Sequence, residues 1–266
     1  MPKPIFLTLI GGLLAFIAGI VTVQSWSKPI KPTPTKIEQL PPPAPVITPD
    51  PEPQEVVFAG GRLRIVSEEK HLKSEPLSYD INVRYPQIAG SDAPHIKNLN
   101  QRIRRFVVNY YQWALNPSKA DLLRYKTAPE FANLVDLDYE IVLATDSILS
   151  INLHSCDYMI GAAHSVIRSH VINYDLMSHR ELKLADLFKP HSKYLNLIAD
   201  YCTDELRLSE PIEPKAETFA SWNLTEKGIR FNFDPCNITG CSDGPHEVTI
   251  PFTALALFLK PVVIGR

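Results

Sequence analysis

Apolar and polar positions alternate in three different ways along this chain. From Ile5 to Val23 the residues carry no charge, and Thr8 and Thr22 are the only hydroxyl side chains. A buried helix of a globular domain usually keeps a polar stripe, which this run lacks. At ~1.5 Å rise per residue a helix over it suits a hydrocarbon core of ~30 Å. Residues 1–27 therefore read as a transmembrane anchor or signal segment. The uncleaved anchor is preferred, because the apolar run exceeds the ~7–15 residues of a signal peptide. Residues 28–55 have no apolar periodicity and carry prolines at 29, 32, 34, 41, 42, 43, 45, 49, 51 and 53. Proline fixes φ and lacks an N–H, so this stretch is expected to be a flexible, extended tether. The third regime, 56–266, has the periodicities of a folded domain.

Within it, Tyr79, Ile81, Val83 and Tyr85 alternate with Asp80, Asn82 and Arg84, the period of two of a half-buried strand. Gly90-Ser91-Asp92 supplies a turn and a helix cap. Ile96, Leu99, Ile103, Phe106, Tyr110 and Trp113 then recur at helical spacing. Strand-like runs follow at 138–144, 149–156 and 165–174, joined by short polar segments that suggest an antiparallel meander. A helix is expected from about Ser192 to Arg207. Ile229, Phe231 and Phe233, then Val248 and Ile250, alternate inward, and a last apolar segment runs from Phe252 to Leu259. The order predicts an α+β fold, one antiparallel sheet with helices packed on it.

Charge narrows the function. Charged residues make up 21% of the chain and the net charge is −2, so there is no basic excess to bind nucleic acid by counterion release. The anchor, the tether and four cysteines suit an extracytoplasmic (periplasmic) domain held at the inner or cytoplasmic membrane. Cys236 and Cys241, five apart with Gly240 between, are expected to close a disulfide loop. Cys156 with Cys202 is the second pairing, the alternative being a Cys202 thiol packed in the core one helical turn after Ile198. A zinc site on Cys236, Cys241 and His246 matches no standard spacing, and neither a metal nor another cofactor is expected.

The order of several short motifs resembles the exported domain shared by RsiV-type anti-sigma factors and the accessory region of PdaC-type peptidoglycan deacetylases. The pieces are Tyr85-Pro86-Gln87-Ile88 with Asn98 and Asn100, Gly161-Ala162-Ala163-His164, Asn173-Tyr174-Asp175-Leu176, Leu182-x-Leu184-x-Asp186-Leu187-Phe188, Phe231-x-Phe233, and Gly244-Pro245 leading to Val248-x-Ile250-Pro251. The resemblance implies a binding module rather than an enzyme, with lysozyme as the ligand known for the RsiV type. Ala162 replaces a usual second glycine, and Cys236 and Cys241 stand in a loop where an aromatic residue is common. Only Met1 to Pro4 precede the apolar run, which sets the expectation against an anti-sigma role.

Two functions follow from this reading. The first is a membrane-anchored module that is not an enzyme and recognises an envelope protein or peptidoglycan glycan through Gly161, His164, Arg168, His170 and Asp175. The alternative is a cell-wall hydrolase or deacetylase. A Cys156/His164/Asp175 nucleophile arrangement is disfavoured by parity, since an odd separation along one strand sends His164 and Asp175 to opposite faces. His164, Arg168 and His170 share a face.

Overall fold

The computed structural model describes residues 56–74, 78–116, 119, 133–159, 162 and 164–261. The expected anchor, the tether and Gly161 lie outside the described residues. Among the described residues no helix is long and apolar enough to cross a membrane.

A seven-stranded sheet runs in sequence order: β1 (Val57–Phe58), β2 (Leu63–Ser74), β3 (Tyr79–Ala89), β4 (Asn133–Ala144), β5 (Ile148–Tyr158), β6 (Val166–Asp175) and β7 (Arg180–Glu181). A second sheet holds β8 (Trp222–Leu224), β9 (Gly228–Phe233) and β10 (His246–Pro251) in the order β10-β9-β8. Helix α1 (Pro94–Leu115) joins β3 to β4, and α2 (Leu184–Leu187), α3 (Tyr194–Glu205) and α4 (Phe252–Leu255) surround the smaller sheet. The α+β class holds, and two details of the expected architecture are corrected. The described residues form two sheets rather than one. The large sheet is mixed, because β3 and β4 are parallel: the α1 crossover returns the chain to the end at which β3 began, a connection that a hairpin cannot make.

Tyr79, Ile81, Val83 and Tyr85 face inward as their alternation predicts, each at most 2% exposed. Proline at the first turn starts α1, and Gly90, at φ +95, precedes it. A Cβ on Gly90 would stand 2.2 Å from the carbonyl oxygen of Arg62, the residue before β2, so both the turn and this contact require glycine. The helix buries Ile96, Leu99, Ile103, Val107, Tyr111 and Ala114. The expected stripe drifts after Ile103: the buried line steps on by four to Val107 and Tyr111, which leaves Phe106 and Tyr110 on its flank and Trp113 exposed. This face of the sheet and α1 form the first apolar core.

The opposite face of β5 and β6 meets the smaller sheet across a polar joint. Ser150 Oγ donates to Asn173 Oδ1 at 2.7 Å, and Asn173 Nδ2 donates to the Trp222 carbonyl at 2.7 Å. Asn223 Nδ2 donates to Ser150 Oγ and to the Ile151 carbonyl, both at 3.0 Å, while Asn232 Nδ2 donates to Asn223 Oδ1 at 3.0 Å. Arg230 adds a two-pronged ion pair to Glu140, at 3.2 and 2.6 Å. Beyond this joint lies the second core, centred on Phe219, Phe231, Phe233, Ile198, Cys202 and Leu255. A β-bulge between Ile141 and Leu143 turns Leu143 from the first core toward the second.

Candidate functional site

The bulge helps shape a cleft of 410 Å³ at one end of the two sheets. Its walls come from the β4–β5 turn, the end of β6, Arg180 of β7, helix α2 and the β8–β9 turn, with Phe252 and Lys260 completing them. The two turns are built alike. Thr145 Oγ1 accepts the Ser147 and Ile148 N–H groups, and Thr225 Oγ1 accepts those of Lys227 and Gly228. In each, the threonine N–H also closes onto the carbonyl three residues on. Gly228 ends the second turn because a Cβ there would stand 2.1 Å from the Ile250 carbonyl oxygen.

Two charged residues of the cleft, Asp175 and Asp186, come from the motifs noted above. Asp175 is buried at the end of β6, where its Oδ1 accepts the Met177 and Ser178 N–H groups at 2.8 and 3.0 Å. This local turn reverses the chain toward β7. Asp186 Oδ2 accepts from Arg180 Nη1 at 2.6 Å and from the Lys183 N–H at 3.0 Å. Burial works to raise the Asp186 pKa, but the Lys183 N–H and the Arg180 guanidinium override it and hold the carboxyl below its ordinary value. Lys260 Nζ donates to the Asp186 carbonyl oxygen at 2.7 Å. The cleft thus sets carboxylates (Asp175, Asp186, Glu226) beside cations (Arg180, Lys260) over an apolar floor of Leu143, Ile148 and Leu187. Such a surface can accept from hydroxyls, donate to carbonyl or carboxylate oxygens and cover a ring face.

Of the five residues expected to bind a ligand, Gly161 lies outside the described residues, and the structure places Asp175 in this cleft and His164, Arg168 and His170 elsewhere. His164 is exposed just before β6, with Nδ1 2.9 Å from the Ser165 carbonyl oxygen. Arg168 and His170 share the α1 side of β6, as their even spacing requires, and meet a separate cluster. There Tyr110 Oη donates to the Asp157 carboxylate, 2.6 Å from both oxygens, and Arg168 Nη1 lies 3.7 Å from Asp157. Burial raises the Asp157 pKa against the pull of Tyr110 and Arg168. Burial also lowers that of His170, whose ring lies 4.8 Å from Phe106 between centroids. Sequence reading missed Arg180, Glu226 and Lys260 as cleft residues. Its one available signal was the repeated turn pattern, Thr145-Asp-Ser-Ile and Thr225-Glu-Lys-Gly.

Cys236 and Cys241 form a disulfide, with Cα atoms 4.2 Å apart. Cys156 and Cys202 are both free, which corrects the second expected pairing. Cys156 belongs to β5 in the large sheet, whereas Cys202 points from α3 into the second core, where it packs as a small apolar side chain. Burial pushes the Cys202 thiol up to about 12. Among the described residues no group of three or more His, Cys, Asp or Glu side chains is placed to hold a metal ion.

Comparison with known proteins finds a match in each half of the domain. Residues 72–166 match the family profile of deacetylase PdaC, and residues 185–253 match that of a protein of unknown function, DUF3298. Peptidoglycan-N-acetylmuramic acid deacetylase PdaC of Bacillus subtilis is 28% identical over 145 residues, which are 50% of this chain and 31% of that protein. The chain thus spans about a third of that relative. A DUF3298 family protein of Bacteroides fragilis shares the fold, with a TM-score of 0.55 at 15% identity over 76% of this chain and 95% of the other. A DUF3298 protein of Pseudomonas aeruginosa gives a TM-score of 0.48 at 20% identity, over 75% and 94%. The family matches and the Bacillus subtilis relative support the PdaC part of the resemblance, and the link to RsiV-type anti-sigma factors is not shown. They overturn the expectation that the chain is not an enzyme, since the PdaC deacetylase profile and the 28% identical relative both point to enzymatic function.

Proposed function

We propose that this chain acts in the deacetylation of peptidoglycan, with the N-acetylated glycan strand as its substrate and the cleft around Asp175, Arg180 and Asp186 as the glycan site. The observation that carries the reading is the match to the peptidoglycan deacetylase of Bacillus subtilis. The cleft supports it chemically. An N-acetylated sugar acid offers hydroxyls, an amide and a carboxyl-bearing substituent, and the cleft holds both carboxylate acceptors and cationic donors within one 410 Å³ space. The reaction adds water across the acetamide C–N bond, releasing acetate and leaving an amine on the sugar. The apolar run at 5–23 and the proline-rich stretch after it support an extracytoplasmic position on a single membrane anchor, where the polymer lies.

The test is acetate release from purified sacculi by the full chain, alongside Arg180→Ala and Glu226→Gln. Acetate release that falls at least tenfold in both variants supports the proposal. The absence of both acetate release and co-sedimentation with sacculi would overturn it.

A further inference from the structure

The large sheet does not close at β6. Strand β7 pairs with it only at Tyr174 and Asp175, and the Leu182 N–H extends that contact to the Asn173 carbonyl. Alternation directs the N–H and C=O groups of odd-numbered β6 residues away from β5. The outward N–H of Ser169 is taken by Asp234 Oδ1 at 2.8 Å. Between these two stops, Val171 has both an outward N–H and an outward C=O with no neighbouring strand among the described residues. This window opens on a cavity of 350 Å³ whose walls include Arg102 and Phe106 of α1, His170, Val171, Ala220 and Ser221.

Two further atoms distinguish the cavity from a surface dent. His170 Nε2 and Ser221 Oγ are both hidden from solvent, and neither has a hydrogen-bond partner among the described residues. A buried polar atom without a partner is unfavourable, and both of these belong to residues that line the cavity, so turning either side chain toward it would give that atom a partner on a bound ligand.

We propose that this cavity is a peptide site, in which Val171 clamps one residue of a short extended peptide by its N–H and C=O while His170 and Ser221 hydrogen-bond the residues beside it. The occupant is the short peptide stem that peptidoglycan carries on its muramic acid. This assignment rests on the function proposed above. The width of the window selects a short peptide over a second copy of the chain. Edge-to-edge pairing needs a run of free backbone groups, and Asp234 interrupts that run two residues from Val171. Arg102, half-exposed on the cavity wall, is ion-paired to Glu181, and a carboxylate of such a stem would share or replace that pair.

Amide hydrogen exchange of the full chain tests the site, using a soluble disaccharide with its peptide, the same disaccharide without the peptide, and the free peptide. The expected result is at least tenfold slower exchange at Val171 with both peptide-bearing probes, with Ile172, already bonded to β5, unchanged. Ser221→Ala and His170→Ala, checked for unaltered exchange elsewhere, each weaken peptide binding about tenfold. Protection by the peptide-free disaccharide alone, or protection that depends on protein concentration without any probe, overturns the peptide site. Acetate release from sacculi that persists while Val171 stays unprotected also overturns it and leaves the deacetylation reading intact; loss of acetate release with Val171 protected does the reverse.

Discussion

The two faces of the large sheet are built on opposite principles. Toward α1 the contact is dry, with Ile81, Ile103, Val135 and Ile151 fully excluded from solvent. Toward the smaller sheet the middle of the contact is polar, with Ser150, Asn173, Asn223 and Asn232 linked in one hydrogen-bonded chain. An apolar interface tolerates sliding, since any close packing of similar volume serves. A buried amide network has few satisfied arrangements, so it fixes position at the cost of tolerance. The cleft is formed by turns from both sheets, and the polar joint is what holds those turns in register.

Four measurements would break or sharpen this contrast. The largest effect belongs to the apolar side of the smaller unit. Phe231→Ala removes a ring that packs on Phe219 at 5.6 Å between centroids, and denaturant unfolding should show a loss of about 3–5 kcal/mol. Next is Asn223→Ala, which leaves Asn232 Nδ2 without its partner and removes one of the bonds made by Ser150 Oγ and by the Ile151 carbonyl. A loss of about 2–3 kcal/mol is expected, together with weaker glycan binding in the cleft; a loss no larger than that of an exposed substitution would show that the joint is ornamental. Replacing Cys236 and Cys241 by serine should cost about 1–2 kcal/mol, below the ~3 kcal/mol of a 15-residue loop, because the loop closed is short. It should leave the cleft unaffected.

The smallest effect concerns charge on the dry side. The folded-state pKa of Asp157 is raised, chiefly by burial, so the folded protein binds its proton more readily than the unfolded chain. Stability from this group therefore rises as pH falls from above its folded pKa toward the ordinary carboxylate range. Asp157→Asn, which keeps an oxygen for Tyr110, should stabilise the protein at pH 7 and lose that advantage near pH 4. An advantage that grew on acidification would contradict the sign of the shift.

Much of the fold was legible because periodicity reports burial. The alternation from Tyr79 to Tyr85 and the inward Ile229, Phe231 and Phe233 appear in the structure as read. Strand β2 was not legible. Glu68, Glu69, Lys70, His71 and Lys73 interrupt its pattern, since most of its length has a neighbour only on the β3 side. The parallel pairing of β3 with β4 was hidden for another reason: it depends on where α1 delivers the chain, which no local pattern records. The site was less legible still. Asp175 and Asp186 stand out within motifs, but Arg180, Glu226 and Lys260 are ordinary surface residues in sequence and acquire meaning only when two turns and a chain end converge.

Strand β7, two residues long, gains its importance from that convergence. Consecutive strand residues point to opposite faces. Arg180 reaches across to Asp186 in the cleft, while Glu181 takes Arg102 of α1 at the rim of the β6 cavity. Two residues adjacent in the chain thus tie a wall of the cleft and a wall of the β6 cavity to the same short strand, so the two chambers share one boundary.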